Sequence, residues 1–171
     1  MPIHVGGIEI ADARVFEEMQ YQEDADSIKH ACFMAAQSLV VRQLLLNTAF
    51  KQKIVAELAD KALSDFDSAE EEQLINALID QSVSVPEAGE DVCKRYYENN
   101  RAKFTDKKLQ KVLPFEQVSG HIKEYLSAQS LMNGISEYIQ VLAANTKIKG
   151  FDFKDPEAMM VNLDGMPQAV N

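Results

Sequence analysis

Residues 115–142, FEQVSGHIKEYLSAQSLMNGISEYIQVL, decide the fold class. Phe115, Val118, Ile122, Tyr125, Met132, Ile135, Ile139 and Leu142 follow steps of mostly three and four, with Gln129 the one polar interruption. A 3.6-residue period puts such positions on one face, so the spacing predicts a long helix whose apolar seam packs along another helix. Pro114 suits its first turn, where a backbone amide would be unpaired anyway. Gly134 costs about 1 kcal/mol of helix propensity against Ala, which points to close packing at that position.

Residues 28 to about 50 form the most apolar stretch, with Phe33, Met34, Leu39, Val40, Val41, Leu44, Leu45 and Leu46. Its polar residues gather into no stripe at 100° per residue, the mark of a central helix touched on most sides. Helical pattern continues past a break through Ile54, Leu58 and Leu63. A shorter helix starts at Asp12, with Val15, Phe16 and Met19 on one face, and the polar run 22–27 separates it from the central one and can cap the latter. Ser68-Ala69-Glu70-Glu71 reads as a capping box opening a helix through Leu74, Leu78 and Ile79. Val83-Ser84-Val85-Pro86 ends that helix, since a residue before proline is pushed out of the helical region. Another helix is expected from about Gly89 to Asn99, with Val92, Tyr96 and Tyr97 inward, and Thr105 to Lys111 is a short polar piece before Pro114.

At both ends of the chain the period changes to two. Ile8 and Ile10 alternate around Glu9 after the Gly6-Gly7 pair, and Lys147 to Phe153 alternates likewise, so Val5 to Ile10 is the natural strand partner of the C-terminal segment. The expected fold is mostly α, a helical domain over 1–153 whose terminal strands pair in a small sheet, with a loose tail over 154–171.

The 171 residues are 46% apolar and 26% charged, which excludes disorder, and no run approaches the ~18 apolar residues of a membrane span. The expectation is a soluble, core-forming protein with no membrane partner. The first residues lack the basic start and apolar run of a secretory signal, so a cytoplasmic location is expected. The formal charge of -10 is concentrated: residues 54–91 hold eleven acids and one base, whereas 94–111 hold seven bases and two acids. That basic segment is short and has few interleaved aromatics, which speaks against nucleic acid as a partner.

Catalytic constellations are scarce. His4, His30 and His121 lie in unrelated segments and none follows a Glu by three residues, so the Glu-x-x-His signature of a bundle metal site is missing. His30 and Cys32 are two residues apart and point to different sides of a helix. Cys32 and Cys93 have no partner at metal or redox spacing and read as buried, reduced thiols. The Glu70-Glu71-Glu72 run suits a solvated first turn that complements the helix dipole. No metal, cofactor or catalytic residue is expected.

The order of segments resembles the N-terminal chaperone module of parvulin-type peptidyl-prolyl isomerases, in particular NifM-like members and, more distantly, SurA. The resemblance rests on Val5 to Ile10, on Glu17 to Tyr21, on Ala36 to Leu46 and on Val83 to Glu87. It continues in Cys93 to Asn100 with Phe104, which look like the Tyr-Tyr-Glu-x-Asn helix preceding the isomerase domain, then in Leu113 to Val118, Tyr138 to Leu142 and Ile148 to Gly150. In the family a whole catalytic domain lies between the equivalents of Phe104 and Leu113. Here eight residues, Thr105 to Val112, stand in its place, so the resemblance implies the scaffold and a chaperone role without the enzyme.

The leading functional expectation is therefore a non-catalytic chaperone or assembly factor that binds a client or partner protein in an apolar groove. Met19, Tyr21, Met34, Met132 and Tyr138 are its candidate contact residues, because Met and Tyr adapt to varied apolar ligands; ordinary core packing is the competing role of each. The alternatives are a structural protein that forms a homodimer through the seam 115–142 without a client, a non-catalytic partner of a prolyl isomerase, and a novel enzyme.

Overall fold

The computed structural model describes residues 2–165. It is mostly α-helical, and strands from the two ends of the chain meet in a small antiparallel sheet. Gly6 and Gly7, with φ of 59° and 92°, close the two-residue turn between β1 (Ile3–Val5) and β2 (Ile8–Ile10). Such a turn needs positive φ at both central residues, which glycine adopts without a steric cost. Ile3 faces Ile10 and Val5 faces Ile8 across this hairpin. On the other edge of β1 lies β5 (Ile148–Lys149), with Val5 opposite Ile148, so the strand order is β2-β1-β5. The glycine pair makes a turn inside the expected strand Val5 to Ile10, and the partner of the C-terminal strand is β1, which begins earlier at Ile3 and shares only Val5 with that expectation.

The residues read above as one domain over 1–153 gather into two compact units, Met1–Asp80 with Ile139–Asn171, and Gln81–Tyr138. In the first, α1 (Asp12–Met19) and α2 (Ile28–Gln52) pack with the sheet. Ile3, Val5 and Ile10 meet Val15 of α1 and Cys32, Ala35, Ala36, Leu39, Val40 and Leu44 of α2. Small residues at 35 and 36 and branched ones at 40 and 44 put this face of α2 inward. Phe151 joins the cluster and stacks on Phe33 at 5.2 Å between ring centroids.

Residues 154–165, read as part of a loose tail, carry Met159, Val161 and Leu163 partly buried against the same cluster. The Met160 amide donates to the Gly150 carbonyl at 2.9 Å, and Lys29 pairs with Glu157. The rest of that expected tail, 166–171, lies outside the described residues.

Both ends of α2 have local causes. The Ser27 hydroxyl accepts from the His30 amide at 3.1 Å, a side-chain cap supplied by the expected polar run. Lys53 adopts a left-handed conformation at φ 52° and stops the helix at Gln52. Two short 3₁₀ turns, Ala56–Leu58 and Leu63–Asp65, follow where a broken helix was expected.

The capping box of α3 (Ser68–Ser82) sits one residue earlier than expected. Asp67 Oδ1 accepts from the Glu70 amide, and Glu70 Oε2 accepts from the Asp67 amide, both at 2.9 Å. Asp67-x-x-Glu70 and Ser68-x-x-Glu71 both fit the motif; the carboxylate takes the cap, and Glu71 is left to bind Arg42 at 2.7 Å.

The second unit is built on α4 (Glu90–Asn99), the hairpin β3 (Thr105–Asp106) and β4 (Lys111–Val112), and the part of α5 (Phe115–Ala144) up to Tyr138. Its core is Cys93, Tyr97, Val118 and Ile122, flanked by Tyr96, Phe104, Leu113, Phe115 and Leu126. Val92, expected inward, is 49% exposed, and Cys93 holds the inward position instead. At Gly134 a Cβ would lie 2.9 Å from Val83 Cγ1 and 3.2 Å from Val85 Cγ1. The extended segment before Pro86 thus packs directly on the α5 backbone, the close approach that this glycine signalled.

Candidate functional site

The hairpin β3–β4 occupies the place where the resemblance puts a catalytic domain. Thr105 pairs with Val112 and Asp106 with Lys111, and the Leu113 amide donates to the Phe104 carbonyl at 2.8 Å. Asp106 Oδ1 accepts from the amides of Lys108 and Leu109, and Gln110 at φ 49° turns the chain back. Below this neck the Tyr97 hydroxyl donates to the Leu113 carbonyl at 2.6 Å, and the Tyr97 ring contacts Phe104 and Phe115 at centroid distances of 5.5 and 5.6 Å. The ends of the eight-residue segment are therefore held one strand spacing apart by backbone and side-chain bonds. The sequence showed this segment only as a short polar piece; Asp106, whose side chain bonds the amides two and three residues on, is its one turn-forming signal.

Beside it lies an open cavity of about 250 Å³ lined by Tyr96, Lys103, Phe104, His121, Ile122 and Tyr125. Tyr96 meets Phe104 at 6.3 Å and Tyr125 at 5.6 Å between centroids. Lys103 Nζ sits 5.5 Å from the Tyr96 ring centre and donates to its hydroxyl at 3.4 Å. The walls are aromatic and aliphatic, the polar groups on them are a lysine and a histidine, and no carboxylate is among the lining residues.

From Tyr125 an apolar stripe runs along α5. Tyr125 and Met132 are two turns apart on one face, 49% and 67% exposed, with exposed Ala128 between them and Leu131 alongside. Of the predicted seam Val118 and Ile122 are buried, Phe115, Ile135, Ile139 and Leu142 are half-buried, and Tyr125 and Met132 are open to solvent.

The five candidate contact residues divide between the units. Met19 is partly buried against the first unit's core, Met34 on α2 is half-buried, and Tyr21, just past the end of α1, is 70% exposed. In the second unit Met132 is exposed and Tyr138 half-buried. Tyr96, Lys103, Phe104 and Tyr125 were not among the candidates, because a helical seam cannot show where along its length the partner helix ends.

A larger cleft of about 670 Å³ lies between the start of α4 and the start of α5, where Glu87 pairs with Lys123 and Glu90 with Lys94. Each lysine holds its glutamate below the usual carboxylate range, chiefly through the side-chain hydrogen bond. Both lysines of this cleft are thus paired within it, and Glu116 on the same wall is not in either pair. Burial, followed by the Asp12 carboxylate, pushes the Cys32 thiol up to about 11, so it is not a nucleophile at neutral pH. Among the described residues no group of three or more His, Cys, Asp or Glu side chains is placed to hold a metal ion, and no helix is long and apolar enough to cross a membrane.

Compared with family models, curated proteins and solved structures, the chain matches none.

Proposed function

We propose that this protein is a non-catalytic chaperone or assembly factor that binds unfolded or partner polypeptide, with a scaffold akin to the chaperone module of parvulin-type isomerases. The observation that carries the reading is the α5 stripe, where Tyr125 and, about two turns further on, the adjacent Leu131 and Met132 are 49%, 39% and 67% exposed. Contiguous exposed apolar side chains on a helix are a cost to a free protein and a binding surface for another. Met and Tyr in that stripe fit varied apolar ligands better than a fixed one. The closed neck at Phe104 and Leu113 supports the kinship, because chain ends hydrogen-bonded to one another are a place where a domain can be present or absent without exposing a core.

The test is aggregation of a chemically denatured polypeptide diluted from denaturant, followed by light scattering. Stoichiometric protein lowers the scattering on this account; no effect at several-fold excess contradicts it. Sedimentation of the protein alone separates the self-associating alternative, since a monomer at all concentrations cannot be an obligate homodimer.

A further inference from the structure

We infer that the aromatic cavity of the second unit is the anchor site of that binding activity and selects acidic segments, taking an apolar side chain whose flanking residues are Asp or Glu. The inference rests on the proposed polypeptide binding and specifies its site and ligand class.

The size of the cavity sets the first limit. About 250 Å³ lies under the ~300 Å³ at which pockets for free small molecules begin, and suits one apolar side chain delivered by a larger partner. Tyr96, Phe104 and Tyr125 offer ring faces and edges, and Ile122 closes the floor at 2% exposure.

Charge sets the second. The net -10 of the protein belongs to the first unit, with nineteen acids against nine bases, while the second has eight of each. In the second unit Glu87, Glu90 and Glu98 pair with Lys123, Lys94 and Arg101, and the remaining acids, Asp91, Asp106, Glu116, Glu124 and Glu137, are not among the residues that line the cavity. Asp106 is turned onto its own hairpin amides. Among the described residues Lys103, Lys107, Lys108 and Lys111 have no carboxylate within ion-pair distance, and Lys103 stands on the cavity wall. An ammonium left without a counterion beside an apolar pocket favours a ligand that brings one, and repels a basic ligand. The hairpin and the turn before it thus supply a cluster of free cations next to an aromatic anchor.

The experiment measures fluorescence polarisation of two labelled peptides, Gly-Asp-Glu-Phe-Glu-Asp-Gly and its counterpart with Lys at the four acidic positions, on the full chain. The acidic peptide is expected to bind at least about tenfold more tightly, and to weaken as salt rises toward a Debye length of ~3 Å at 1 M. Lys103→Glu, an exposed position, is expected to remove that preference, and Tyr125→Ser to weaken the acidic peptide while circular dichroism stays unchanged. Equal affinity for the two peptides, or a preference that survives Lys103→Glu, overturns the inference. So does a dimer in sedimentation that Lys103→Glu disperses, because the cavity then holds a second copy. If the protein suppresses aggregation but does not distinguish the peptides, only the site assignment fails; if it does neither, the polypeptide-binding reading fails with it.

Discussion

Tyr97 holds the neck of the hairpin by two means at once. Its ring lies between Phe104 and Phe115, and its hydroxyl, in an 8% exposed residue, takes up the Leu113 carbonyl. Removing the hydroxyl alone leaves that half-buried carbonyl without its side-chain donor, a cost of about 0.5–1.5 kcal/mol for an ordinary hydrogen bond. Tyr97→Phe is expected to lower thermal stability by that amount in calorimetry, with helix content unchanged; a neutral substitution would show that the neck does not depend on this bond. The tyrosine pair was visible in the sequence as inward-facing, but which ring bonds which carbonyl depends on a chain reversal at residues 106–110 that no periodicity records.

At the scale of the element, α3 shows how local chemistry selects between overlapping signals. Glu70 accepts from the Asp67 amide and is bonded by Lys61, and the Lys61 bond, then the Asp67 amide, pull its pKa below 4.5. A carboxyl whose pKa is lowered on folding adds stability that is present above its unfolded value and is lost as pH falls through the folded value. Glu70→Gln keeps an acceptor for the Asp67 amide and removes the charge. Thermal melts are therefore expected to show wild type above the variant at pH 7 and the gap closing as pH drops below about 4.5; a gap independent of pH would contradict the assignment. The helix was legible because its apolar period and an N-terminal cap agree. The one-residue displacement was not, since Asp67 and Ser68 offer the same motif and the partners that decide it, Lys61 for Glu70 and Arg42 for Glu71, come from elsewhere in the chain.

For the whole molecule, the mostly α class and the meeting of the chain's two ends in a sheet could be read from period changes at residues 5–10 and 147–153, because alternation is a local signal, whereas the pairing strand Ile3–Val5 starts before that stretch. The division into two units could not, since it depends on which faces of the long helices find partners. The charge imbalance read from residues 54–91 and 94–111 becomes a property of the units: the first carries the whole net charge, and the second keeps free lysines at its hairpin. The binding surface was only half legible. Met132 was named from its type, whereas the cavity around Tyr125 needed α4, the hairpin and α5 to be brought together. The most direct test of the central claim is amide chemical-shift mapping of the labelled protein titrated with a reduced, carboxymethylated polypeptide that cannot refold. Saturable shifts centred on residues 121–132 of α5 and on residues 96–104 are the predicted result; no shifts, or shifts confined to the first unit around Met19, Tyr21 and Met34, would contradict it.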